Sequence, residues 1–413
     1  MRFLLAVLLA LVLHPVALAE EWPAWRGPRG TGVSEAKKAP LHWSRDQNIA
    51  WSIDLPGPGN STPIVFDGKL FVTCASADGK TRGLYCFDAK TGARLWAQEV
   101  AYNDPEPTHN TNPACSASPT TDGQRVVVSH GSAGLFCYDL AGKELWKKHL
   151  GKLEHIWGNA SSPVIYKDLV IVNVGPGLNV GVVALDKKSG NEVWRQEYPE
   201  MRSTKVDEYR GSWSTPVVYR DGSRDLLLLA LPQTFRAVDP ATGETVWSCD
   251  GASKLCYGSP LLAGDLIVTM CGFHGPAMAI RGGGRGDVTA THRLWMHEQK
   301  NPQRVGSGVV VDGQVYILND DGVAWCIDAA SGEIHWKHRL GGSSWSSALA
   351  AAGRVYFTNM AGVTYVIEPS ATECKVLATN SLDGKTMRAS PVIWDGRLYL
   401  RTYEKLWCVE EKQ

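Results

Sequence analysis

The chain has 413 residues, with 42 Lys plus Arg balanced by 42 Asp plus Glu, so its formal net charge is zero. Without a positive field or a long run of one sign, a nucleic-acid or acidic-membrane surface is disfavoured as its working face. The composition, 44% apolar with 42 Gly and 22 Pro, suits a globular, turn-rich, mostly β protein.

The first segment, "MRFLLAVLLALVLHPVALAEEW", carries Arg2, an apolar run from Phe3 to Leu13, the helix-breaking Pro15, and Ala17 and Ala19 on either side of Leu18. This pattern predicts a secretory signal over 1–19, cut after Ala19. Its apolar run is too short to span a bilayer, and no later run reaches the roughly 18 to 20 apolar residues that a span needs. No Cys follows it to take a lipid. The mature chain is expected to be exported, to the periplasm or beyond, and to be a monomer. Next comes "EEWPAWRGPRGTGVSEAKKAPLHWS" (20–44), a Gly- and Pro-rich stretch expected to form a strap over 20–47, laid across the domain that follows.

From residue 48 the chain repeats itself. "LYCFDAKTGARLW" (84–96) returns as "LFCYDLAGKELW" (135–146), "VVALDKKSGNEVW" (182–194), "FRAVDPATGETVW" (235–247) and "AWCIDAASGEIHW" (324–336). Aligned on the Trp, the copies fall at Trp51, Trp96, Trp146, Trp194, Trp247, Trp295 and Trp336, with an eighth position near Val376 that has lost it. A small residue followed by Pro and two apolar residues is a second marker, at 61, 118, 162, 214, 259 and 390, with degenerate copies at 308 and 348. Both markers count eight. Each unit holds four short β-rich runs bounded by turn residues. Four-stranded sheets repeated at this period predict an all-β, eight-bladed β-propeller of antiparallel blades over 48–413. The chain stops after three strands of the last unit, and "NIAWSIDL" (48–55) is an orphan fourth strand, so the last blade is expected to be closed by both termini.

Within the repeat, Asp88 is expected to accept local backbone N–H groups, Gly92 to supply positive φ at a bulge, and Trp96 to pack as buried core between blades. Of the ten Cys, Cys86, Cys137, Cys326 and Cys408 share one slot and read as small core residues; Cys74 is a possible partner for Cys86 across a hairpin. There is no CxxC, CxxCH or adjacent Cys pair.

Asp-x-x-(Thr/Ser)-Gly-x-x-x-Trp resembles the tryptophan-docking motif of the propellers related to pyrroloquinoline-quinone (PQQ) dehydrogenases, and the likeness runs from residue 48 to 413. That family includes quinoprotein dehydrogenases, the propeller lipoprotein of the outer-membrane barrel-assembly machinery, and exported bacterial propellers without an assigned role. The chain is most similar to the last, through "EEWPAWRGPRGTGVS", "WGNASSPVIY" and "AIRGGGRGDVTATHRLW". In the family's dehydrogenases the quinone lies on the propeller axis between a Trp and a vicinal disulfide, with Ca²⁺ held by carboxylate and amide oxygens. The missing Cys pair and haem motif place the chain away from that group.

Residues three before each Pro, or its equivalent, are expected to ring one mouth of the axial channel: Asn60, Ser116, Ala160, Trp213, Tyr257, Val305, Trp345 and Arg388. Asn112, Trp157, Asn159, Arg210 and Arg304 are expected beside them. Three Arg among aromatic rings suit a planar anion or a peptide; the competing expectation is a mouth plugged by its own Trp side chains and the strap. "RGD" (285–287) reads as a flexible surface loop, and His109, His130, His155 and His274 show no metal-ligand spacing. The sequence therefore predicts a non-catalytic scaffold that binds a protein, peptide or ligand, with no catalytic residue, metal or cofactor expected. The alternative is a PQQ-dependent oxidoreductase with Arg210, Arg304 or Arg388 on the quinone carboxylates and Ca²⁺ beside it.

Overall fold

The computed structural model describes residues 19–104, 106–205, 208–272, 275–298 and 305–411; the signal expected over 1–19 lies outside them apart from Ala19. The described chain forms eight blades, seven of them four-stranded antiparallel sheets and one, blade 4, with a fifth strand added, beside a short parallel pair of 211–212 with 255–256. Blade 1 runs from the inside outward as Ile64–Phe66, Lys69–Ala75, Thr81–Asp88 and Arg94–Ala101. Blades 2 to 7 follow over 120–148, 164–197, 217–250, 261–297, 309–339 and 349–381. Blade 8 takes Val392–Trp394, Arg397–Arg401 and Lys405–Val409 from one end of the chain and Ile49–Asp54 from the other. The two ends pair antiparallel, Trp51 opposite Cys408 and Asp54 opposite Lys405, which removes both open edges of the circle. Among the described residues no helix is long and apolar enough to cross a membrane.

The repeat motif builds each outer hairpin. Asp88 accepts hydrogen bonds from the backbone N–H of Lys90 (3.0 Å) and Thr91 (2.8 Å) and from the Thr91 hydroxyl (2.9 Å). Gly92 takes φ 75°, a left-handed conformation that glycine adopts at little cost. The ladder slips at Cys86/Phe87, so the last strand bends after the turn. This brings Trp96 directly opposite Cys86, as Trp146 faces Cys137, Trp336 faces Cys326 and Trp51 faces Cys408. In blades 3, 4 and 5 an Ala holds that slot. A small side chain is needed there because the indole lies over it.

Each indole reaches the next blade. Trp51, Trp96, Trp146, Trp194, Trp295 and Trp336 donate from Nε1 to the carbonyls of Ala89, Leu140, Lys187, Pro240, Ala329 and Ser370, at 2.8–3.2 Å. A Cβ at Gly92, Gly142, Gly190, Gly243 or Gly332 would stand 2.5–2.9 Å from the indole of the preceding blade. Trp96 is half-buried at the rim rather than full core, as are Trp51, Trp295 and Trp336. Trp247 differs: it is fully buried, and its indole N–H finds no acceptor among the described residues.

That exception corrects the reading of "RGD". The insertion in blade 5 is no loose loop, because Gly286 and Asp287 pair in parallel with Trp247 and Ser248 and add a fifth strand to blade 4. The possible Cys74–Cys86 pairing is also ruled out by register, which sets Cys74 opposite Gly83 and Cys86 opposite Phe71.

Residues 20–44 lie across one face of the ring. Trp22 bridges to Val65 of blade 1 and Val33 to Ala350 of blade 7. The Thr121 N–H of blade 2 donates to Pro23, and the Tyr356 hydroxyl of blade 7 to Pro40.

His130, wholly buried in blade 2, lies with Nδ1 3.5 Å from the Cys115 sulfur. Burial, with Arg82 beside it, pushes its pKa down to about 3 from an ordinary 6.5. The unfolded chain takes up this proton near pH 6.5 and the native state does not, so stability is full above that pH and is lost as pH falls toward 3. Urea midpoints are expected to drop between pH 6.5 and 5, by up to about 1.4 kcal/mol per pH unit for this one group. His130→Phe should flatten the slope; an unchanged slope would refute the assignment.

Candidate functional site

The eight Ser or Thr residues that precede Pro, or its replacement, form a closed ring at the inner edges of the blades. The Thr62 N–H donates to Ser118 Oγ, Ser118 to Ser162, Ser162 to Thr215, Thr215 to Ser259, Ser259 to Ser307, Ser307 to Ser347, Ser347 to Ser390, and Ser390 back to Thr62. All eight bonds measure 2.9–3.1 Å, and the circle closes across the seam where the termini meet. Each of these blades therefore hands one buried amide to its neighbour's hydroxyl, which satisfies a donor that would otherwise be costly to bury.

Above this ring stands a funnel with a cavity of about 140 Å³. All eight residues expected at the mouth line it: Asn60, Ser116, Ala160, Trp213, Tyr257, Val305, Trp345 and Arg388. Asn112 and Trp157 join them, as do Thr111 and Trp25. Two expected residues do not. Asn159 turns its amide to Glu106 Oε1 at 3.4 Å, and Arg210 is drawn away to the carbonyl of Glu200 at 3.1 Å. Arg304 lies outside the described residues.

One wall is aromatic. Tyr257 sits between Trp213 (ring centroids 5.1 Å apart) and Trp157 (6.4 Å, interplanar 11°). Trp213 is fixed by its Nε1 bond to Gly158 O (2.8 Å) and by the edge-on ring of His155 at 5.0 Å. The Asn112 amide donates to the carbonyls of Trp157 (2.6 Å) and Asn159 (3.2 Å), holding that loop in place. The facing wall carries Arg388, whose guanidinium lies over Trp345 (5.2 Å) and Tyr403 (5.1 Å). Arg388 is half-buried, its Nε has no hydrogen-bond partner among the described residues, and burial lowers its pKa. Asn60 donates to Thr111 O at 2.9 Å, while its own Oδ1 is buried without a partner among the described residues.

The strap closes the far side of the ring. Trp25 reaches the funnel, and the wholly buried Arg26 donates to the carbonyls of Ser307 (3.2 Å) and Gly308 (2.6 Å) as well as Gly30 (3.1 Å) and Thr31 (2.5 Å). No sequence signal marked Arg26 for this contact with Ser307 and Gly308. The hydroxyl ring was also missed, although its signal was present: every copy of the second marker has Ser or Thr in that position.

A family model described as outer membrane protein assembly factor BamB matches residues 42–271 and 284–410. BamB of Burkholderia pseudomallei is 23% identical over 360 residues, 86% of this chain and 84% of that protein. A quinoprotein ethanol dehydrogenase of Pseudomonas putida is 26% identical over 209 residues, 45% of this chain and only 32% of the dehydrogenase. Among solved structures, a europium-containing methanol dehydrogenase superposes with TM-score 0.70 at 14% identity, covering 94% of this chain and 98% of that one. BamB from Moraxella catarrhalis gives 0.62 at 15% identity, covering 88% and 98%. At such identities the structures share the fold alone. Its eight blades and a family match over most of its length show that the chain belongs to the PQQ-like propeller family described by outer membrane protein assembly factor BamB.

Proposed function

We propose that the protein is an exported, non-catalytic propeller that serves as a binding and assembly scaffold, with the axial funnel as a ligand or peptide site. One observation carries this reading. The described residues that line the funnel include no Asp, Glu, His, Cys or Lys, so the wall has surface and hydrogen bonds to offer but no carboxylate, imidazole or amine to act as a base and activate its Ser and Thr hydroxyls. Binding to a protein partner is supported by the relatives named for outer-membrane assembly, and the expected signal supports export.

The rival reading is a PQQ-dependent oxidoreductase. In the resembling dehydrogenases the quinone comes with a Ca²⁺ ion held partly by carboxylate. Asn60 and Asn112 supply amides to this funnel, but its described lining supplies no carboxylate, and Ca²⁺ sites are built largely from charged oxygen ligands. The residues present do not fit the metal-bound quinone. Purified protein incubated with PQQ and Ca²⁺ is expected to retain no stoichiometric quinone absorbance after desalting and to reduce no dye with alcohols or sugars. Quinone uptake with turnover would overturn the scaffold reading.

A further inference from the structure

The hydroxyl ring has a polarity. Each Oγ accepts a backbone N–H from its neighbour, so its remaining capacity toward the axis includes the O–H proton. Only Ser259 has a described acceptor for that proton, the carbonyl of Thr215 at 2.7 Å. Thr62, Ser118, Ser162, Thr215, Ser347 and Ser390 line the funnel floor, and none has such an acceptor among the described residues. The floor thus offers a set of O–H donors that have no protein acceptor among the described residues.

The charges around it point the same way. Arg388 stands two residues before ring member Ser390, Arg26 is bonded to the carbonyl of ring member Ser307, and Arg401 donates to the carbonyl of Ser61 (2.8 Å), next to Thr62. Arg26 and Arg401 are fully buried. Among the described residues none of the three has an Asp or Glu within ion-pair distance, and desolvation lowers the pKa of each. Guanidinium groups buried without counter-ions are costly unless an anion completes them. An aromatic wall alone would also suit an organic cation, but the Arg388 guanidinium in the lining, with no carboxylate among the described lining residues, opposes that choice.

We propose that the funnel binds an organic carboxylate head first, the anion taken by Arg388 and the hydroxyls of the floor while a flat or apolar body lies on Trp213, Tyr257 and Trp345. This rests on reading the funnel as a binding site and adds the class of its ligand. The aromatic wall favours an organic acid over a bare inorganic anion, because offset stacking rewards a flat body. The carboxylate can belong to a free aromatic acid or to the end of a peptide.

Calorimetric titration of the full mature chain tests this with 2-naphthoate and its neutral isostere 2-naphthamide. A tripeptide ending in Phe, as free acid and as amide, forms the second pair, with sodium sulfate as a third arm. The acid is expected to bind at least about tenfold more tightly than the amide, the scale of one charge-assisted contact. Arg388→Gln should bring that ratio close to one with the circular dichroism spectrum and melting temperature unchanged, and Arg388→Lys should retain most of the preference. A preference shown by the tripeptide assigns the carboxylate to a chain end, and one confined to naphthoate assigns it to a free acid; either supports the proposal. Equal affinity for acid and amide, a preference untouched by Arg388→Gln, binding of sulfate alone, or no binding of either acid at millimolar concentration would overturn it. Quinone-dependent turnover would instead remove the non-catalytic reading and leave the carboxylate preference standing.

Discussion

Trp247→Ala is expected to destabilise the protein by about 3–5 kcal/mol, the range for truncating a fully buried large aromatic. Trp247 has no exposed surface, packs against Phe235 with ring centroids 5.8 Å apart, pairs through its backbone with the added strand at Gly286, and shares a buried cluster with Val288 of that insertion. Its N–H makes no bond among the described residues, so truncation gives up apolar contact and leaves a cavity without stranding a polar partner. Trp96→Ala provides the comparison. Trp96 is half-buried and bonded to Leu140 O at 3.1 Å, and its loss should cost about 1–3 kcal/mol, nearer the ordinary range for a point substitution. Urea midpoints at pH 7 measure both. Equal costs would show that the added strand does not seal Trp247 from water.

Glu106→Ala should be comparably damaging, at about 3–5 kcal/mol, because it strips the partner from a buried ion pair. Glu106 and Arg82 meet at 2.5 Å with their side chains 2% and 4% exposed. The carboxylate also accepts from the Ser132 hydroxyl (2.9 Å), the Ser132 N–H (3.3 Å) and the Asn159 amide (3.4 Å). It therefore ties the connection between blades 1 and 2 to both blades and to the loop before blade 3. Removing it strands the Arg82 charge, which keeps only carbonyl partners at Gly79 (3.1 Å) and His130 (2.5 Å) and its stacking on Tyr102. The double variant Glu106→Ala/Arg82→Met should recover part of the loss, since no buried charge is then left unpaired. A cost below about 1 kcal/mol for Glu106→Ala would contradict this account.

The candidate site was legible in part. The rule that placed Asn60, Trp213, Tyr257 and Arg388 at one mouth worked because each blade starts its inner strand at the same height, so equivalent positions in the repeat become neighbours around the axis. It failed for Arg210 and Asn159, which lie outside the strict register. Their side chains are long or adaptable enough to follow local partners, Glu200 O and Glu106 Oε1. The insertion at 282–292 was misread for a related reason. Its glycines permit a loop, but the outer edge of blade 4 offered a row of unpaired backbone groups, and pairing with it satisfied both.

The sequence alone determined the number of blades, their four-strand order, the closure by the two termini and the small slot opposite each outer Trp. These follow from turn chemistry and alternation acting within some ten residues, copied often enough to be counted. Only the tertiary structure decided that eight hydroxyls join in one hydrogen-bonded circle, that Arg26 of the strap seals its far side, and that Arg388 enters a funnel whose described lining holds no carboxylate. Each of those outcomes depends on where side chains from distant blades point and on which charges find partners once water is gone, and neither is written in the spacing of any one repeat.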